Sequence, residues 1–417
     1  MPRRGIVAAL AGGLALCAVS AATMADQDEQ DFPAIERGRY LAIAGDCASC
    51  HTMTGGKAFA GGRPIETPFG ELLAPNITPD RATGIGDWTD RQFIDAMTKG
   101  KRKDGSRLYP AMPYPAYAKV SWTDLLAIRA YLATVPPVHH AVNADQLHFP
   151  FDYRASMKVW DALFFRAGPF EPRQDKSAKW NRGAYLVNGL MHCGTCHTPK
   201  NLLGADDNAR RFRGYVTEDW LAPDLTTDAR RGIGAWSEDD IVAYLKTGHN
   251  RIADATGPMA DVIEGSSSKL TDADLHAVAT YLKDQPIPGE QPQTPPTLDD
   301  RVMKVGAAIY RDECSACHTP TGRGIAGMFP TLAGSPSVQS TNPTSLIHIV
   351  LRGSRSVATA GAPTAPAMPP FGWLLNDDQV AAVTTYIRNA WGNVAPKVDA
   401  STVANQRNVL AKQAGGG

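Results

Sequence analysis

The chain has 417 residues, 42 basic and 42 acidic side chains and no formal net charge. Its length suits two or three domains of ordinary size, and its balanced charge gives no argument for nucleic-acid binding, which wants a basic face. With 38 glycines and 31 prolines it is expected to be loop-rich rather than a bundle of long helices.

The opening segment, MPRRGIVAALAGGLALCAVSAATMADQ, has the layout of a secretory signal, 1–25. Arg3 and Arg4 supply the charged region, residues 6–19 the apolar one, and small residues lead to an expected cut after Ala25. The apolar stretch is broken by glycines and short for a bilayer span, which disfavours a membrane anchor. A lipoprotein site at Cys17 is weaker still, because bulky Leu16 stands where a small residue is wanted. Cleavage therefore discards Cys17 and, in a bacterium, delivers the mature chain to the periplasm. The acidic start DQDEQD that follows reads as a tail.

Six of the seven cysteines lie in three C-x-x-C-H pentads, CASCH at Cys47–His51, CGTCH at Cys193–His197 and CSACH at Cys314–His318. None is left for a disulfide framework. The chain also compares with itself at a lag of about 147 residues: ERGRYLAIAGDCASCHT matches NRGAYLVNGLMHCGTCHT, and APNITPDRATGIGDWTDRQF matches APDLTTDARRGIGAWSEDDI. A more distant third copy begins KVGAAIYRDECSACHT. Three units follow, with cores at about 32–140, 179–288 and 298–394.

Each unit opens with a helical pattern bearing Gly38, Gly183 or Gly306, and closes with another bearing Tyr131, Tyr281 or Tyr386. A glycine on the opening helix and an aromatic on the closing one would let the two cross closely. The closing helices carry capping signals, Ser121 before Asp124, Thr271 before Asp274 and Asn376 before Gln379. In the first of them Leu125, Ile128 and Leu132 share one face. No useful β-type alternation appears, so all-α units with long Gly/Pro loops are expected. Units of this size bury little apolar surface unaided, and something else should fill their centres.

C-x-x-C-H reads as c-type haem attachment. The two cysteines form thioethers to one haem, and the histidine ligates its iron. Structural zinc wants four ligands, commonly a second C-x-x-C pair or spaced histidines, and each unit offers one pair and one histidine. A thioredoxin-like redox pair would need a βαβ setting. Three covalently bound haem c groups are therefore expected, held by Cys47, Cys50, Cys193, Cys196, Cys314 and Cys317, with His51, His197 and His318 as iron ligands. The second axial ligand is expected to be methionine. Met112 in LYPAMPYP, Met259 in TGPMAD and Met368 in TAPAMPPF each stand shortly before a closing helix. Met97, mid-helix, and Met328, close to its pentad, are the competitors. His192, His139, His140 and His148 read as structural or solvent-facing.

Haem iron with both axial positions filled passes electrons rather than binding substrate. No dinucleotide fingerprint, P-loop or nucleophile elbow is found, so no catalytic residues are assigned and the reductant is expected on another subunit. A peroxidase-like enzyme would need a unit lacking its methionine, and a free periplasmic multihaem shuttle would need no permanent partner.

The order C-x-x-C-H, APNITPD…GIGDW, LYPAMPY, WNRGAYLV and GPM resembles the three-haem cytochrome c subunit of bacterial membrane-associated dehydrogenases, over nearly the whole mature chain. The resemblance implies three tandem class I cytochrome c-like domains. It further implies a large flavoprotein or quinoprotein dehydrogenase partner acting on an alcohol, sugar or sugar acid, with a small third subunit in some members. Ubiquinone or a terminal oxidase would accept the electrons at the periplasmic face of the inner membrane. Related subunits pair with molybdenum hydroxylases of aldehydes or N-heterocycles. The expected layout is domain one at 26–140, a linker with an apolar helix at 141–178, domain two at 179–288, a Pro-rich linker at 289–297, domain three at 298–394 and a polar tail at 395–417. Within the first linker, Trp160, Leu163, Phe164 and Phe165 are expected to pack between units one and two, with a partner or lipid contact as the sharper alternative. The basic stretch 99–107 reads as a solvated loop, and the polar tail does not suit direct membrane anchoring.

Overall fold

The computed structural model describes residues 31–142, 146–287, 296–297 and 299–415, together with Met1. Residues 2–25 of the expected signal and most of the Pro-rich linker lie outside the described residues.

Each unit is organised by one helix crossing. Phe32–Ala44 crosses Trp122–Leu132 in unit one, Ala178–Asn188 crosses Asp272–Leu282 in unit two, and Asp300–Ile309 crosses Asp377–Ile387 in unit three. Glycine is required at each crossing. A Cβ on Gly38, Gly183 or Gly306 would lie 1.8, 1.9 or 2.3 Å from the carbonyl oxygen of Ala127, Ala277 or Ala382. Two of the three tyrosines complete the contact: the Gly183 and Gly306 positions abut the Cβ atoms of Tyr281 and Tyr386. Tyr131 packs edge-on against Phe59.

The closing helices begin at the anticipated caps. The side chains of Ser121, Thr271 and Asn376 accept hydrogen bonds from the backbone N–H of Asp124, Asp274 and Gln379. The reciprocal half of the capping box forms only in unit three, where Gln379 Oε1 accepts from the Asn376 N–H at 2.9 Å. In units one and two the carboxylate at that place is used elsewhere. Asp124 accepts from Arg37 Nε (2.7 Å) and from the Tyr185 hydroxyl of unit two (2.5 Å). Asp274 accepts from Arg182 (2.8 Å, twice) and from the Tyr40 hydroxyl of unit one (2.6 Å). Each tyrosine oxygen in turn accepts from the cap residue's N–H, Ser121 for Tyr185 and Thr271 for Tyr40. The seam is thus self-complementary in the manner of a two-fold dimer, with units one and two as the halves.

Behind this seam the two units share one apolar core, in which Leu41, Leu125 and Ile128 are continuous with Leu186, Leu190, Leu275 and Val278. Unit three has its own core around Tyr310, Ile347, Val380, Val383 and Val403.

Two features depart from the all-α expectation and the expected layout. Short strands are present. Pro64–Thr67 and Gly70–Leu73 form an antiparallel hairpin joined by Gln146–Leu147, Tyr215–Thr217 pairs with Trp220–Ala222, and Ser354–Arg355 pairs with Ala367–Met368. At two to four residues each, they are too short to give an alternating pattern. The segment expected as a polar tail contains a helix, Ala400–Gly415, laid on unit three. Val403 and Leu410, two turns apart, are its buried anchors, and Arg407 donates to Asp377 and to the carbonyls of Gly372 and Leu375. Two apolar anchors in sixteen residues make a stripe too thin to read in a sequence. The linker helix Met157–Phe164 wedges between units one and two, as expected of its apolar residues. Met157 and Trp160 are buried with Leu72, Tyr109 and Tyr114 of unit one and Ala205 of unit two, and Phe164 and Phe165 pack against them. Trp160 Nε1 donates to the Leu203 carbonyl at 2.9 Å. Leu163 faces solvent. Among the described residues no helix is long and apolar enough to cross a membrane.

Candidate cofactor sites

The three pentads lie on short helical turns, Cys47–His51, Gly194–His197 and Ser315–His318. All six cysteines are free thiols, and in each pair the first is half-buried and the second exposed. Burial pushes the thiols of Cys47, Cys193 and Cys314 up to about 12 and that of Cys196 up to about 11. Burial thus favours the neutral thiol in the chain by itself. Among the described residues no three His, Cys, Asp or Glu side chains converge for one metal ion.

One arrangement recurs at every pentad histidine. Nδ1 of His51 lies 2.8 Å from the carbonyl of Pro75, Nδ1 of His197 lies 2.7 Å from that of Pro223, and Nδ1 of His318 lies 3.2 Å from that of Pro330. A carbonyl only accepts, so Nδ1 carries the hydrogen and Nε2 keeps its lone pair. Such a bond fixes the tautomer and ring orientation of a metal-ligating histidine and raises its basicity. Burial holds all three imidazoles below their ordinary pKa, which also favours the neutral, ligating form.

The proline carbonyls are delivered by the elements the sequence reading missed. Pro75 and Pro223 follow the hairpins of units one and two, and Pro330 follows a tight loop bridged between Ile325 and Phe329. A left-handed glycine closes each site: Gly61, Gly214 and Gly324 donate their N–H to the carbonyl of His51, His197 and His318. Their φ angles are +74°, +82° and +62°, and a Cβ on Gly61 or Gly324 would fall 2.5 or 2.8 Å from the carbonyl carbon of Pro75 or Pro330. The repeated APN and APD strings marked the first two prolines as recurrent without revealing their role. Nothing marked Pro330.

The methionines are placed as follows. Met112 lies in the turn before Tyr114–Tyr117, Met259 in the first turn of the helix Pro258–Gly265, and Met368 in a two-residue strand. Met112 and Met259 pack against the shared core that Cys47 and Cys193 also border, and Met368 against the unit-three core bordered by Cys314. Of the competitors, Met97 is itself a buried member of the shared core, on the helix Asp90–Lys99, and Met328 is exposed. His192 is an interface residue, its ring edge-on to Tyr117 of unit one. The donor set thus fits a c-type haem: neutral thiols in pairs, one oriented imidazole, and a thioether side chain at the same core.

Comparison with known proteins agrees with this chemistry. The cytochrome c family matches three stretches, residues 35–136, 181–286 and 303–391. The chain belongs to the cytochrome c family. It is 41% identical over 423 residues to the gluconate 2-dehydrogenase cytochrome c subunit of Pantoea cypripedii, covering 96% of this chain and 95% of that one. It is 40% identical over 422 residues to the cytochrome c subunit of the quinone alcohol dehydrogenase of Gluconobacter oxydans, covering 96% and 88%. The fructose dehydrogenase cytochrome subunit of Gluconobacter japonicus is 38% identical over 402 residues, covering 90% and 83%.

Proposed function

We infer that the chain is the electron-transfer subunit of a dehydrogenase complex. It receives electrons from a separate flavin- or quinone-cofactor subunit that oxidises an alcohol, sugar or sugar acid, and passes them to ubiquinone or another respiratory acceptor. One observation carries the reading: a pentad histidine with Nδ1 committed to a proline carbonyl and Nε2 left for iron, built three times. The relatives' roles as dehydrogenase cytochrome subunits support it.

A haem held at each pentad supplies a one-electron carrier. The chain's own residues do the rest. Cys47 with Cys50, Cys193 with Cys196, and Cys314 with Cys317 would hold it by thioethers. His51, His197 and His318 would ligate its iron, with Met112, Met259 and Met368 as the second protein ligands. Two protein ligands per iron would leave no open site for substrate, and histidine–methionine ligation would raise the potential. The units run 26–140, 179–288 and 298–394, and the mature chain works at the periplasmic face of the inner membrane as a peripheral subunit.

Haem quantitation and intact mass should give three covalent haems per chain, and a colourless chain from a host competent in cytochrome maturation overturns the reading. Met112→His should lower the potential of one haem and leave two alone. If all three stay put, Met112 is not a ligand. Co-purification should return a large dehydrogenase subunit with its cofactor.

A further inference from the structure

Unit three touches unit two through the helix Thr344–Arg352 and through the loop that follows it, and that loop has two ends of interest. Its base is the strand pair Ser354–Arg355 with Ala367–Met368, in which Ser354 faces Met368. Its outgoing arm carries Val357 into unit two, where Val357 is 5% exposed. There Val357, Ala255 and Ile263 form one buried cluster, with Tyr244, Met259 and Ala260 packed around it.

The receiving surface is shaped for that side chain. Gly248 ends the helix Glu238–Thr247 at φ +82°, and a Cβ there would lie 2.0 Å from Val357 Cγ1. The His249 ring lies across the backbone: Nε2 donates to the Val357 carbonyl (3.2 Å), while Nδ1 faces Asp254 Oδ1 (3.0 Å). Thr359 Oγ1 adds a bond to the Thr247 carbonyl. On the other flank Trp220 lies against Gly257, two residues before Met259, and stacks on His348 of unit three, ring centroids 4.1 Å apart. The short helix bearing Met259 is therefore gripped by groups that unit three holds in place.

We propose that Val357 is a positioning residue for the axial methionine of unit two, so that the 353–368 loop of unit three ties the methionine of its own site, Met368, to Met259 of the neighbouring one. Met259 packs on one side against the shared core of units one and two and on the other against the Val357 cluster, in which Val357 is the one member supplied from outside the unit. This rests on the reading of Met259 as an iron ligand.

The test uses the intact holoprotein. In Val357→Ala the ferric near-infrared sulfur-to-iron absorption should fall by up to about a third, because one of three histidine–methionine centres loosens. One haem potential should drop, and a second, that of unit three, should move less. Gly248→Ala attacks the same seat from unit two and should reproduce the pattern. Val357→Ile should largely restore both signals. As a control, Val380→Ala, in the separate core of unit three, should lower stability without moving the unit-two potential. Met259→Ala is run in parallel. If it leaves every potential unchanged, the ligand reading fails. If Met259→Ala shifts a potential but Val357→Ala and Gly248→Ala leave the band and all potentials untouched, the positioning role is overturned while the ligand reading stands.

Discussion

The two junctions between units are built on different principles. Units one and two meet through a reciprocal seam, Tyr40 on Asp274 and Tyr185 on Asp124, over a common apolar core. Units two and three share no large core; they meet through a seated valine, one stacked Trp220–His348 pair and scattered polar bonds such as Leu221 N–H to Ser345 Oγ. A continuous core makes separation of the first pair as costly as unfolding, because the apolar surface exposed is that of a domain interior. The second pair can shift by moving a few side chains. The spacing of the first two sites is thereby fixed as part of the fold, and that of the third depends on a small contact.

This contrast can be broken in several ways. The largest effect is expected from Gly183→Val. Its Cβ would overlap the Ala277 carbonyl at 1.9 Å, so the crossing must open, at a cost of about 3 kcal/mol or more. Thermal denaturation should show the first two units melting as one body, with reduced haem retention in both. Asp124→Ala comes next. It strands the Arg37 and Tyr185 partners of a nearly buried carboxylate and should cost about 3 kcal/mol in denaturant unfolding, again of both units together. Tyr185→Phe and Tyr40→Phe should each cost about 1.5 kcal/mol, and near equality of the two values is the signature of the two-fold seam. A marked inequality would break the symmetry argument.

Acid should act on the same seam. Burial raises the Asp274 pKa, but the Arg182 and Tyr40 hydrogen bonds and the Arg182 charge more than offset it and hold the carboxyl below its ordinary value. A depressed carboxylate contributes stability above its unfolded pKa, about 3.9, which is lost as the pH falls through the folded one. Stability of the first two units should therefore decline below about pH 4. Replacing Asp274 with Asn should flatten that part of the profile, and an unchanged slope would count against the seam as its source.

Legibility followed the range of the interactions. The pentads, the helix caps and the crossing glycines were readable because each is a local pattern with one physical meaning. The linker helix was legible from its run of bulky apolar residues, though only the fold separated inward Trp160 from outward Leu163. Asp124 and Asp274 were read as partners of their own caps; their side chains turned to tyrosines in the other unit because a charge-assisted bond across the seam outweighs the second half of a capping box. The helix at 400–415 was missed because two buried anchors suffice when Arg407 finds three acceptors on a neighbour.

From its sequence alone the protein is a threefold repeat with three pentads of haem-attachment type, since covalent spacing and capping act within a few residues of chain. Tertiary structure alone decided which carbonyl accepts each histidine's Nδ1–H, at separations of 24, 26 and 12 residues. It also decided which units fuse and which merely touch. Those outcomes depend on loops of unequal length bringing distant groups together, and loop closure carries no periodic signal for a sequence to display.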